Sequence, residues 1–280
     1  MRIVDKILYF LRNIFQKPFK VGLISYYYPQ NGQNINGVSM HIFNLSRKLA
    51  ELGCEVHVFC SGEKNSIKEE YLANGKLVIH VLDKSMNVNL EDAAAEKRLR
   101  YFIFENKVIS EITRENAKEK FDVIHTHGWL TAGAFIAKFL NKIPWVHTFH
   151  ALEKNRLKFM TDDEKKFYAL AKWVESTIQH ADALISVSEQ LKKEIIENYK
   201  VKKNKVFYIP NGVDLNTFRP LEGISPEKKV LFIGRFSLEK GIDLIPDIAA
   251  IILKRIKDVK FEIVAPGQIF SNLKKVKSKF

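Results

Sequence analysis

Short apolar runs, separated by helical stretches of ten or more residues, leave this chain few folds to adopt. The runs are Lys20–Ser25, Glu55–Cys60, Leu77–Leu82, Phe121–His125, Trp145–His147, Ala183–Val187 and Lys205–Ile209. Helical patterning falls between them, around 38–52, 90–119, 129–141, 162–179 and 189–199. Strands that alternate with helices in this way form parallel βαβ units. Several runs are continuously apolar rather than alternating, the pattern of strands covered by helices on both faces. The expectation is a doubly wound, Rossmann-like α/β domain.

A break rich in Pro, Gly and Asn begins at Pro210-Asn211-Gly212 and runs through Pro220 and Pro226. The pattern then restarts with Val230–Ile233, a helix near 241–256, Phe261–Val264 and a last helical stretch. Three segments are therefore expected: residues 1–19, an α/β domain over 20–215, and a second α/β domain over 216–280. A full α/β domain usually takes about 100–150 residues, so the second is expected to be incomplete.

Composition matters mainly through charge. The net charge of +13 is carried by residues 1–20, 200–205 and 271–280, each contributing +4, and the remainder is nearly neutral. A nucleic-acid surface would spread basic residues over a face or a recognition element, so no nucleic-acid partner is expected. The two cysteines, Cys54 and Cys60, cannot staple a chain of 280 residues, which suits a reducing cytoplasm. No apolar run reaches the ~18 residues of a membrane span. In residues 1–19, Ile3, Ile7, Phe10 and Ile14 line up at helical period against Arg2, Lys6 and Arg12, before Pro18. Such a basic amphipathic helix suits either peripheral contact with an anionic membrane or docking on protein. Both remain open.

Ligands of open parallel sheets bind at the carboxyl ends of strands. After the first run, Asn36-Gly37 opens a helix whose N–H groups and dipole suit an anion such as phosphate. The run at 121–125 continues into His125-Thr126-His127, where period two places both histidines on one side. The run at 145–147 continues into His147-Thr148-Phe149-His150. These two histidine pairs suggest a polar site, with His127 and His150 favoured as members and His125 as structural. No H-E-x-x-H or Cys/His spacing marks zinc, and no G-x-G-x-x-G marks a dinucleotide enzyme. In the second domain Gly234-Arg235 and Glu239-Lys240-Gly241 stand just beyond a strand, the outline of a diphosphate clamp.

In order, the segments YYYPQNGQNINGVSMHIFNLSRKLAELGCEVHVF, FDVIHTHGWLTAG, PWVHTFHALEK, ADALISVSE, VFYIPNGVDLNTFRP and VLFIGRFSLEKGIDLI resemble the retaining glycosyltransferases of family 4. The resemblance runs from about Val21 to the C-terminus. It implies the GT-B fold: one complete Rossmann-like domain on the acceptor side and an incomplete one on the donor side. It further implies transfer of a sugar from a nucleotide diphosphate donor to an acceptor hydroxyl, with retention. His127 matches the histidine facing the transferred sugar, Gly37 and Asn36 the phosphate-approaching loop, and His150 a cleft-lining position. Arg235 and Lys240 match the pair that neutralises the leaving diphosphate, beside Gly234. Asn211, Gly212 and Asp214 match the interdomain linker, Asp214 as a structural residue.

There is no D-x-D motif, so metal-independent chemistry without a cofactor is expected. Cys54 replaces a usual family histidine and is expected to be structural, while Asn36 replaces a glycine and still permits positive φ. After Lys240 the only glutamate is Glu262, where the family carries a pair eight positions apart that holds the donor. Truncation of the donor-side domain is therefore expected, with a partner chain or longer reading frame to complete it. The alternative is a half-glycosyltransferase acting as a binding subunit. The expected location is the cytoplasm, or the inner face of the membrane if residues 1–19 bind lipid, where lipid-linked or cell-envelope acceptors would be at hand. Donor sugar, nucleotide and acceptor stay open.

Overall fold

Successive residues of the first strand point into different cores, which is how the two covered faces arise. In the computed structural model, β1 (Lys20–Ile24) sends Leu23 to one apolar cluster with Ile42, Val56, Val58 and Leu77, and Ile24 to another with Phe104, Ile112, Ile124 and Trp145. The structure describes residues 17–29, 35–85, 93–128, 132–160, 162, 165, 176–220, 228–235, 237–256 and 258–264. They fall into two compact units divided between Asn211 and Gly212.

In the first unit β1 is followed by α1 (Gly37–Glu51), β2 (Glu55–Gly62), β3 (Ser66–Leu72), β4 (Gly75–Asp83), α2 (Ala93–Lys118) and β5 (Val123–His127). Then come α3 (Ala132–Asn141), β6 (Trp145–Phe149), β7 (Ala183–Ser186), α4 (Glu189–Tyr199) and β8 (Val206–Tyr208). Among the described residues these eight strands form one sheet in the order β3-β4-β2-β1-β5-β6-β7-β8. Every pairing is parallel except that of β3 with β4. The chain winds outward from β1 in one direction, then returns to its other side at β5. That reversal is a topological switch point, and it sets the carboxyl ends of β1 and β5 side by side.

Strand β3 is absent from the sequence expectations. Its residues, SIKEEYL, are mostly exposed, so no continuous apolar run announces it. It is an antiparallel edge strand, and charges guard it as edge strands require: Glu70 pairs with Arg47 at 2.7 Å and Glu69 with Lys76 at 2.9 Å. After the turn, Gly75 packs so closely on the end of α1 that a Cβ there would overlap the carbonyl oxygens of Ala50 and Cys54. Cys54 is itself buried.

The helix expected over 162–179 lies largely outside the described residues, and Ser176–His180 is a 3-10 turn. Residues 1–16 and the lysines at 274–279 also lie outside them. Among the described residues no helix is long and apolar enough to cross a membrane.

The second unit contains β9 (Lys229–Ile233), α5 (Ile245–Arg255) and β10 (Lys260–Val264). The two strands pair in parallel, Lys229 opposite Lys260. Ile242 is fully buried against Phe232 and Ile245. Glu262, the glutamate that follows Lys240, pairs with Lys229 at 3.0 Å.

Candidate functional site

Strand geometry sorts the histidines of β5 and β6 onto two faces. Thr126, Trp145 and His147 share one: the Trp145 indole N–H donates to Thr126 Oγ1 at 2.8 Å, and His147 Nδ1 lies 2.8 Å from the same oxygen. His147 is thus built into the sheet on the face opposite His127, and the expectation of two histidine pairs at one site is corrected to that extent. Alternation turns the side chain over at each residue.

His125, His127 and His150 occupy the other face. His125 Nε2 bonds to Thr148 Oγ1 at 2.7 Å, a structural arrangement. The His127 ring lies tilted against it, with centroids 4.2 Å apart, and its Nδ1 lies 3.2 Å from His150 Nε2. His127 is 3% exposed, and among the described residues its buried Nε2 has no hydrogen-bond partner.

A fourth imidazole completes the group. His41, in the second turn of α1, has its ring centroid 5.3 Å from His127 and 4.9 Å from His150. Sequence reasoning missed it, because a histidine at helical period carries no strand-end signal. A clue did exist: His41 stands one turn beyond Gly37, on the helix start already marked as anion-binding.

Burial holds all of these rings neutral near pH 7. Desolvation, then neighbouring imidazoles, pushes His125 down to about 3 and His150 to about 4. Desolvation and then His125, His150 and His41 push His127 well below the usual histidine range. Burial also lowers His41. Neutral rings can donate or accept hydrogen bonds but bring no fixed positive charge.

The start of α1 is rigidly built. Asn36 is its N-cap: Oδ1 accepts from Ser39 N–H at 3.0 Å, and Ser39 Oγ accepts from Asn36 N–H at 2.9 Å. This reciprocal capping box satisfies two helix-end donors. Asn36 has φ −150°, so the positive φ that it could have taken is not used; the capping geometry requires extended backbone. Among the described residues, a Cβ at Gly37 would meet nothing within 4 Å.

In the second unit, Gly234 follows β9 and donates its N–H to Val264 O at 3.0 Å. The chain then turns through Ser237 and a 3-10 turn, Leu238–Lys240, to Gly241 at φ +71°. Lys240 comes back close to Gly234, its Cγ 3.8 Å from where a Cβ would stand. Arg235 is well exposed, and its guanidinium donates to Glu239 at 3.0 Å. In the linker, Asp214 accepts from Asn216 N–H at 3.0 Å and Thr217 Oγ1–H at 2.8 Å, a local turn-building role. The structure therefore gathers His127, His150 and the helix start at Asn36-Gly37 in one unit, and Gly234, Arg235 and Lys240 in the other.

The mostly parallel α/β fold matches that of solved glycosyltransferases. Sucrose-phosphate synthase from Thermosynechococcus elongatus superposes with a TM-score of 0.68 at 19% identity, over 92% of this chain and 66% of that one. A glycosyltransferase from Rickettsia africae gives 0.58 at 17% identity, over 95% and 65%. The fold is that of the GT-B glycosyltransferases.

The sequence pattern of Glycosyltransferase Family 4 matches residues 35–217, and the chain belongs to that family. It is 30% identical over 236 residues to D-inositol 3-phosphate glycosyltransferase 2 of Catenulispora acidiphila, covering 78% of this chain and 53% of that protein. It is 26% identical to an uncharacterized glycosyltransferase of Methanocaldococcus jannaschii, over 89% and 64%. The chain spans about half to two thirds of the length of these relatives.

Proposed function

We propose that this glycosyltransferase moves a sugar from a nucleotide diphosphate donor to an acceptor hydroxyl, with retention at the anomeric carbon and without a metal ion. The observation that carries this reading is the buried His127, its Nε2 unpartnered, at the carboxyl end of β5 beside the start of α1. An orphaned buried nitrogen costs free energy unless a ligand satisfies it, and a sugar hydroxyl would do so. In the reaction the anomeric C–O bond to the diphosphate breaks, its electron pair leaving on the phosphate oxygen. A C–O bond to the acceptor forms, and the acceptor's proton passes to the leaving phosphate.

The added charge on the diphosphate is the part the protein must stabilise. Arg235 and Lys240 would supply cations, and the N–H groups at Gly37 a helix dipole, each favouring the transition state over the ground state. Asn36 would fix that helix start, and His150 would orient His127. One acceptor class to try is an inositol phosphate, by the name of the Catenulispora relative.

The test incubates the 280-residue chain with UDP-, GDP- and ADP-sugars, with D-inositol 3-phosphate and other hydroxyl acceptors, in EDTA, and follows products by mass spectrometry and NMR. A glycoside with the donor's anomeric configuration is expected. An inverted product, or turnover only when metal is restored, would refute the proposed chemistry.

A further inference from the structure

Three imidazoles from three separate elements converge in the first unit. His41 comes from α1, His127 from the end of β5, and His150 from just beyond β6. One nitrogen from each ring can be chosen so that all three lie within 4.8 Å of one another. Hydrogen bonding accounts for only part of this. His127 Nδ1 and His150 Nε2 lie 3.2 Å apart, with room for at most one proton between them. Bringing three polar rings together, one buried and two partly so, is unfavourable unless something satisfies their lone pairs.

We propose that His41, His127 and His150 form a binding site for a divalent transition-metal ion of the zinc class. The spacing suits it. Two nitrogens 3.2 Å apart, each about 2.0–2.1 Å from a zinc ion, subtend roughly 100° at the metal, close to a tetrahedral angle. The third nitrogen, within 4.8 Å of the other two, has to approach by at most about 1.5 Å to reach the same geometry, and His41 and His150 are only partly buried, which leaves their side chains room to rotate. The proton shared by His127 and His150 moves to the other nitrogen of its ring, so no charge change is required. Three histidines leave a fourth position for water or a hydroxyl.

Imidazole nitrogen selects Zn²⁺, Co²⁺, Ni²⁺ or Cu²⁺ over Mg²⁺ and Ca²⁺, which take oxygen ligands. The proposal rests on the transferase reading in one respect only. If His127 faces the sugar, bound zinc and donor compete, and zinc inhibits where Mg²⁺ does not.

The experiment uses the EDTA-stripped 280-residue chain with Co²⁺ and Zn²⁺, followed by visible absorption and calorimetry. No sugar is present, so the result is independent of transfer activity. One equivalent of Co²⁺ with the intense bands of a four-coordinate ion is expected. His41→Gln and His150→Gln should each weaken binding by about 100-fold or more, beyond the loss typical of outer-sphere changes, while His180→Gln on the surface should not. Circular dichroism checks that the variants are folded. If they are not, paramagnetically shifted imidazole N–H resonances of the Co²⁺-loaded wild type count the histidines bound, three being expected. Absence of micromolar binding, binding indifferent to both histidine variants, or loss instead on Glu111→Gln in the separate His80, Glu111, Glu115 group would overturn the proposal.

Discussion

His127 Nδ1 and His150 Nε2 lie 3.2 Å apart across two neighbouring parallel strands, close enough to share a proton. His127 ends β5, and its backbone is in register with Thr148, two residues before His150. Strand register brings the two residues together, and their contact is the anchor of the candidate site.

Replacement of His127 by Asn should leave the fold intact and reduce kcat/KM for sugar transfer by about 10²–10³-fold, the scale of losing one well-placed polar group in an active site. Steady-state kinetics, with circular dichroism as a folding control, checks this. Activity within threefold of wild type would remove His127 from the mechanism.

Arg235→Ala should also lower kcat, with little change in thermal stability, because its guanidinium is largely exposed and pairs with Glu239 at the surface. Exposed pairs of this kind contribute about 0–1 kcal/mol. A melting temperature that falls by many degrees would show that the residue is structural instead.

Glu105 should make the first unit less stable in alkali. Burial pushes its carboxyl up to about 7, against a partial offset from the Gly133 N–H that it accepts, and among the described residues its Oε1 has no partner. The folded state therefore holds a proton that the unfolded state releases near pH 4.5. Stability falls as pH rises from there through about 7 and then levels off. Glu105→Gln should flatten this profile, gaining up to roughly 3 kcal/mol over wild type at pH 9. Urea titrations between pH 5 and 9 measure it, and parallel curves for the two proteins would contradict it.

Gly75→Ala should destabilise the first unit by roughly 2–4 kcal/mol, since the added Cβ meets fixed backbone carbonyls rather than a flexible side chain. A drop in the urea midpoint with unchanged slope is expected. A neutral result would mean that the β3–β4 hairpin shifts away from α1 at no cost.

Deletion of residues 2–19 should reduce co-sedimentation with anionic liposomes, given the basic amphipathic pattern of that segment. Equal sedimentation of the two proteins would rule the segment out as a membrane contact.

The interior strands were legible because burial on both faces leaves a continuous apolar run, as in Lys20–Ile24, which is buried throughout. Strand β3 was not, since an edge strand survives by carrying charges such as Glu69 and Glu70, and these resemble a loop. The pairing of His125 with His127 on one face followed from strand period, and so did their approach to the end of β6 once the strands were taken as neighbours. His147 went to the opposite face for the same reason of period, yet its bond to Thr126 needs the register of β5 against β6, which no single segment contains.

By itself, then, the order of apolar runs and motif segments determined the α/β class, the family and the strand ends that carry polar chemistry, because periodicity and local turn chemistry are properties of short stretches. Only the tertiary structure decided that His41 joins His127 and His150. That meeting depends on the switch point, where α1 leaves β1 and β5 returns beside it, bringing together residues more than eighty positions apart. Burial of the rings, and hence their neutrality and the orphaned Nε2 of His127, follows from the same packing, since desolvation is set by everything around a side chain rather than by its neighbours in the chain.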